Sequence, residues 1–204
     1  YTTFTCGHIV SPRNLLGAVV HKGPKHVPFE FTYEAWKRVD LVLVVAALTQ
    51  LDDLAGALSS YSNILPDGMV VFFPSYGSLD TTLIRWRTTG ALDRISKRKQ
   101  VFVEPKHAHD VERVLDNYAA AIAHPTVCAF GLQGLTFQPE SPRGAILLAV
   151  VGAKLSEGIN FQDNLARCVA MVGLPFPNAK SKELTERITY VPVSYTHLRA
   201  HETS

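Results

Sequence analysis

Residues 143–161 read RGAILLAVVGAKLSEGINF, and this stretch decides the fold. Ala145 to Val151 is apolar at every position, so a strand built from it buries both faces. Gly152 stops the run, and Gly158 lets backbone approach a ligand closely. Between and after them stand one cation, one hydroxyl, one carboxylate and one amide: Lys154, Ser156, Glu157 and Asn160. Such a loop can hold a phosphate with Lys154 and backbone N–H groups. Glu157 or Asn160 can serve a ribose or an attacking water. On pattern alone it also reads as a polar βα loop in which Ser156 and Glu157 start a helix.

Working outward, other segments repeat the theme. Met69–Phe73, closed by Pro74, is a second central strand, Gln100–Val103 a short one, and Arg167–Val172, followed by Gly173 and Pro175, a third apolar one. Apolar positions from Val39 to Leu58 recur at three- and four-residue steps, so a helix is expected from about Glu34 to Asn63, ended by Pro66 and Gly68. Leu79–Trp86 and His109–Ala123 read as further helices. Residues 124–142, which hold Gly131, Gly134, Pro139 and Pro142, read as a surface insertion, and Leu15–Val20 and Phe29–Thr32 as strand-like pieces. Strands alternating with helices imply an α/β fold with a mostly parallel sheet flanked by helices. Ligands of such sheets sit at the carboxyl ends of the strands. Pro74–Tyr76, Gly152–Asn160 and Gly173–Asn178 occupy those ends.

Composition sets the bounds. Of 204 residues, 47% are hydrophobic and 19% charged, with a formal charge of +2, the balance of a globular chain without a general affinity for polyanions. Cys6, Cys128 and Cys168 are an odd, scattered set, so neither a disulfide framework nor a C-x-x-C metal site is expected. The longest apolar run, Leu41–Leu48, is far shorter than the roughly 18–20 residues of a membrane span, so no membrane partner is expected. Tyr1 and the opening TTFTC read like the inside of a fold, so a fragment is expected.

Four segments in order then resemble one family. VVGAKLSEGINF followed by ARCVAMVGLPFPN is similar to motif V of the XPD-like iron–sulfur DNA helicases. ILPDGMVVFFPSY resembles motif IV, RGAILLAVVG its usual lead into motif V, and TCGHIVSPRNL with PFEFTYE the start of the second motor domain in the sister-chromatid-cohesion branch. The resemblance implies a RecA-like second motor domain over 1–190, cut off before motif VI. It further implies ATP with magnesium, 5′-to-3′ movement on single-stranded or forked DNA, a nuclear location, and a role in replication, repair and cohesion. By position, Ser75, Tyr76, Lys154 and Ser156 are expected to meet nucleic acid, and Glu157, Gly158 and Asn160 to face the nucleotide. Asn160 stands where the wider group has Asp, so it can bond a ribose hydroxyl but carries no charge toward magnesium.

No G-x-x-x-x-G-K-[ST] phosphate loop occurs in the 204 residues. That loop, the Asp-Glu pair and the four cysteines of the 4Fe–4S cluster are expected in the first motor domain, the partner in cis; replication and cohesion proteins are further expected partners. Residues 191–204, VPVSYTHLRAHETS, lack apolar period and are expected to be a non-native or disordered tail.

Other candidates are weaker. His197 and His201 have a zinc-like spacing but no Glu after His197, and Cys6–His8 and His107–His109 are equally thin. Lys97, Arg98 and Lys99, near Trp86, read as a phosphate-tracking cluster with a base-stacking ring, or as a solvated helix end beside a core Trp. Arg85 and Arg87 divide the same way. A rival reading keeps the fold as a non-catalytic interaction module. An unrelated nucleotide-binding α/β domain would need a Gly-rich turn after its first strand plus an acidic residue about 20 positions on, and no such pair is present.

Overall fold

Apolar runs with both faces to bury form the centre of a four-stranded sheet, and the computed structural model describes it within residues 12–31, 41–124, 142–155, 161, 163–173 and 186. The strands are β1 (Gly68–Phe73), β2 (Gln100–Val103), β3 (Ala145–Val150) and β4 (Cys168–Met171), in the spatial order β2-β3-β1-β4. Every pairing is parallel, with Val70 opposite Leu147 and Val169, and Phe102 opposite Leu147. The expected α/β architecture is therefore present, with all four strands pointing one way.

Helices α1 (Leu41–Ile64), α2 (Tyr76–Thr88) and α3 (Ala91–Ser96) pack on one face, and α4 (Val111–Ala123) on the other. Period-2 alternation divides β3 between them: Ile146, Leu148 and Val150 join Leu54, Leu58, Leu83 and Trp86, whereas Ala145, Leu147 and Ala149 join Tyr118, Ala121 and Ile122. The α1 stripe is Leu51, Leu54, Ala55 and Leu58, the spacing of one helix face. Among the described residues, no helix is long and apolar enough to cross a membrane.

Three expectations need correction. Residues 15–20 form no strand, and Leu16 and Val19 lie almost fully exposed. Their β-branched composition favours extended backbone, but among the described residues no sheet edge pairs with them. Phe29–Phe31 likewise form no strand; the segment closes on itself through one antiparallel bridge, Lys22 to Pro28, with the Phe29 N–H donating to the His21 carbonyl at 2.9 Å. The β4 run, expected as an apolar strand like β1 and β3, is the outermost described strand beside β1 and is not buried on both faces, with Val169 and Met171 about half exposed at 55% and 52%. The loop at 23–27 is instead fixed from the helix side. Asp53, fully buried on α1, accepts the Lys25 and Val27 N–H groups at 2.7 and 3.2 Å. A Cβ on Gly23 would lie 2.3 Å from the Asp53 carboxyl carbon, so only glycine fits.

Candidate functional site: the strand-end rim

Because all four strands are parallel, the segments after them emerge on one rim of the sheet. Backbone bonds hold them side by side. The Val151 N–H donates to the Phe73 carbonyl at 2.9 Å, that of Val172 to Phe72 at 2.9 Å, and that of Glu104 to Leu148 at 2.9 Å. The rim thus brings together residues 74–76, 104–106 and 151–155.

Ser75 follows β1 by two residues and caps the start of α2. Its backbone is extended and its Oγ accepts the Ser78 N–H at 3.1 Å, while the Ser78 Oγ accepts the Ser75 N–H at 3.2 Å, a reciprocal capping box. The hydroxyl placed at the nucleic-acid face by sequence is thus engaged in holding the helix. We expect Ser75→Ala to lower stability by about 1 kcal/mol in urea unfolding; an unchanged midpoint would show the cap to be idle. Tyr76, half-buried, follows it. Burial pushes its hydroxyl pKa up, the neighbouring Glu104 carboxylate adds to the rise, and Lys106 opposes it. Tyr76 therefore stays a neutral hydrogen-bond donor at the rim.

After β3 the chain turns at Gly152, whose φ of 69° lies in the left-handed region and whose surroundings are open. The turn exposes Lys154, whose Nζ donates to the Lys106 carbonyl at 3.1 Å, and buries Leu155 against the α4 side of the core. Lys106 in turn pairs with Asp80 of α2 at 2.8 Å, both well exposed. An open depression beside them is lined by Ala108, His109, Val111, Glu112 and Lys154. Tyr76 and Lys154, both nucleic-acid candidates, therefore share one rim with Ser75. Ser156, Glu157, Gly158 and Asn160 lie outside the described residues, as do Gly131, Gly134, His197 and His201.

Sequence reasoning missed Glu104. It stands directly after β2, is 3% exposed, and accepts the Val150 N–H at 2.7 Å and the Leu155 N–H at 3.0 Å. The available signal was a carboxylate immediately beyond the apolar VFV run, on the rim side.

The other candidates resolve differently. Trp86 is fully buried, its Nε1–H donating to the Leu51 carbonyl at 2.8 Å. Arg85 forms a two-point pair with Asp52 at 3.0 and 2.6 Å. Lys97 and Arg98 are exposed, but Lys99 is fully buried, so the run is not one solvated patch. His107 and His109 stack ring on ring at 5.6 Å. Among the described residues no group of three or more His, Cys, Asp or Glu is placed to hold a metal ion.

Known proteins resemble this chain across the same elements. The family model described as "Helicase C-terminal domain" matches residues 58–198, which include all four strands. The ATP-dependent DNA helicase DDX11 of Mus musculus is 41% identical over 188 residues, covering 92% of this chain and 19% of that protein. The protein of the same name from Homo sapiens is 40% identical over 188 residues, covering 92% and 17%. The ATP-dependent DNA helicase CHL1 of Yarrowia lipolytica is 39% identical over 196 residues, covering 94% and 21%. The chain spans about one fifth of the length of the curated relatives it matches.

Proposed function

The chain belongs to the helicase C-terminal domain family, and from that premise we propose that it works as the second, RecA-like motor half of an ATP-dependent DNA helicase. The observation that carries the reading is the rim itself. A parallel sheet sets Tyr76 after β1 and Lys154 after β3 on one edge, side by side, where an extended strand can lie across both. Lys154 supplies a cation for a phosphate, and Tyr76 a neutral hydroxyl and a ring face for the sugar or base.

On this reading a companion motor half brings the phosphate loop, and ATP lies between the two. On the rim the Glu104 carboxylate is engaged with two backbone N–H groups and Asp80 with Lys106, and the magnesium ligands are assigned to the companion half. Closing and opening of the cleft then moves the pair along DNA, this domain gripping the strand. Glu157, Gly158 and Asn160 meet the nucleotide, and Ser156 the strand. The family likeness extends the proposal to 5′-to-3′ polarity, a 4Fe–4S cluster in the companion half, a nuclear location, and work in replication, repair and sister-chromatid cohesion.

Two measurements test it. The purified chain should bind a labelled single-stranded oligonucleotide, with affinity falling as salt rises because phosphate contacts release counterions. It should also show no sustained ATP turnover alone, since 204 residues contain no phosphate loop, and should support turnover when joined to a first motor half from a relative. Turnover by the chain alone, or no affinity for single strands, refutes the assignment.

A further inference from the structure

Two backbone N–H groups at the ends of the 151–154 loop converge on one buried side chain. The Val150 N–H, at the last residue of β3, and the Leu155 N–H, at the end of the turn, point at the two separate oxygens of Glu104. Between them the Val151 N–H donates to the Phe73 carbonyl at 2.9 Å and the Ala153 N–H to the Val150 carbonyl at 3.2 Å, and neither bond reaches the exit at Leu155. Gly152 is in open space, and Lys154 is exposed. Leu155 is fully buried and anchors the exit, yet apolar packing alone does not fix the path of four residues. Two donors arriving at one place need two acceptor oxygens, which a carboxylate has and an amide or hydroxyl of similar size does not. A carboxylate accepting backbone N–H bonds makes them roughly twice as strong as neutral ones.

The neighbours of Glu104 repeat the arrangement. The Lys106 carbonyl, two residues on, receives the Lys154 ammonium, so residues 104–106 hold both the backbone and the cation of the loop. On the β1 side, burial first and then the Glu104 carboxylate raise the Tyr76 pKa, so the same group acts on the neighbouring candidate as well.

We propose that Glu104 is the positioning residue of this rim: by binding the Val150 and Leu155 N–H groups it fixes the 151–155 loop and thereby sets Lys154 for the DNA strand. Glu104 itself touches no DNA. The inference rests on the motor reading for its strand, and not for its geometry.

The test uses the whole 204-residue chain and four variants: Glu104→Gln, Lys154→Ala, their combination, and Asp53→Asn. Asp53 is the control because it too is a buried carboxylate accepting two N–H groups, those of Lys25 and Val27, neither of which belongs to the rim segments. Amide exchange and affinity for a fluorescein-labelled oligothymidylate are measured on each. In Glu104→Gln, one of the Val150 and Leu155 amides should exchange about tenfold faster, and the Kd should rise about threefold. Combining it with Lys154→Ala should weaken binding no further than Lys154→Ala alone, since Glu104 acts through that lysine. Asp53→Asn should speed exchange at Lys25 and Val27 and leave the Kd alone. Should Glu104→Gln fail to fold, Glu104→Asp, which reaches only one of the two amides, takes its place. An unchanged Kd, or effects of Glu104→Gln and Lys154→Ala that simply add, overturns the positioning role. If the unaltered chain binds no oligonucleotide, the motor reading fails, while protected Val150 and Leu155 amides that Glu104→Gln releases still uphold the tie.

Discussion

Trp86→Ala is expected to destabilise the domain by about 3–5 kcal/mol and to leave the oligonucleotide affinity of the molecules that remain folded unchanged. The ring has no exposed surface, meets Phe73 edge to face at a centroid distance of 6.4 Å, and shares its helix face with Leu79 and Leu83. Truncation leaves a cavity between α2 and the sheet and removes the donor to the Leu51 carbonyl. A small domain is stable by about 5–15 kcal/mol in total, so this one change removes a large part of it. The alternative, a base-stacking tryptophan beside basic residues, predicts the opposite pair of results. Stacking is worth about 1–3 kcal/mol per base, which would appear as lost affinity with little lost stability. Urea unfolding and anisotropy on the same sample separate the two. Trp86→Phe should fall between, keeping most of the packing and losing the N–H.

The contrast between Trp86 and Glu104 shows what can be read from a chain of this kind. β1 and β3 were legible because both faces of each are buried, and residues that must be apolar everywhere leave a plain mark. The α1 stripe was legible for a related reason, since burial of one helix face imposes a period. Helix α3 was not: Ala91–Ser96 is too short to display a period, and it forms because Ala91 and Ile95 cover the sheet's flank. Leu15–Val20 misled, because local β preference says nothing about whether an edge is available. β4 misled in another way, as an apolar run does not declare that one of its faces stays half exposed. Glu104 depends on amides 46 and 51 positions further on. No local pattern carries that information, whereas the strand-end rule still pointed to the rim on which it stands.

Charge reversal along Lys97, Arg98 and Lys99 is expected to give unequal results despite their uniform look. Lys97→Glu and Arg98→Glu change exposed side chains and should stay within about 0.5 kcal/mol of the unaltered chain. Lys99→Glu should cost more than about 4 kcal/mol and leave little folded protein. The reason lies at the sheet edge opposite the rim. The Lys99 Nζ donates to the Asp67 carbonyl at 2.7 Å and to the Arg143 carbonyl at 3.2 Å, with no exposed surface. Lys99 leads into β2, Asp67 into β1 and Arg143 into β3, so a single ammonium gathers the entries of three neighbouring strands. A carboxylate there would face two carbonyl oxygens with nothing to receive. Lys99→Met keeps the stem and removes only the donors; the Asp67 carbonyl still accepts the Ala145 N–H, so the loss should be about 1–3 kcal/mol. The pH dependence has a definite sign. Burial lowers the Lys99 pKa from 10.5 in spite of the opposing pull of Asp67, so the unfolded chain binds the proton more tightly. Stability relative to Lys99→Met should therefore increase as pH rises from the folded value toward 10.5, and level off above it. A flat difference across that range, or a Lys99→Glu chain that folds normally, would return Lys99 to the solvated surface with its two neighbours.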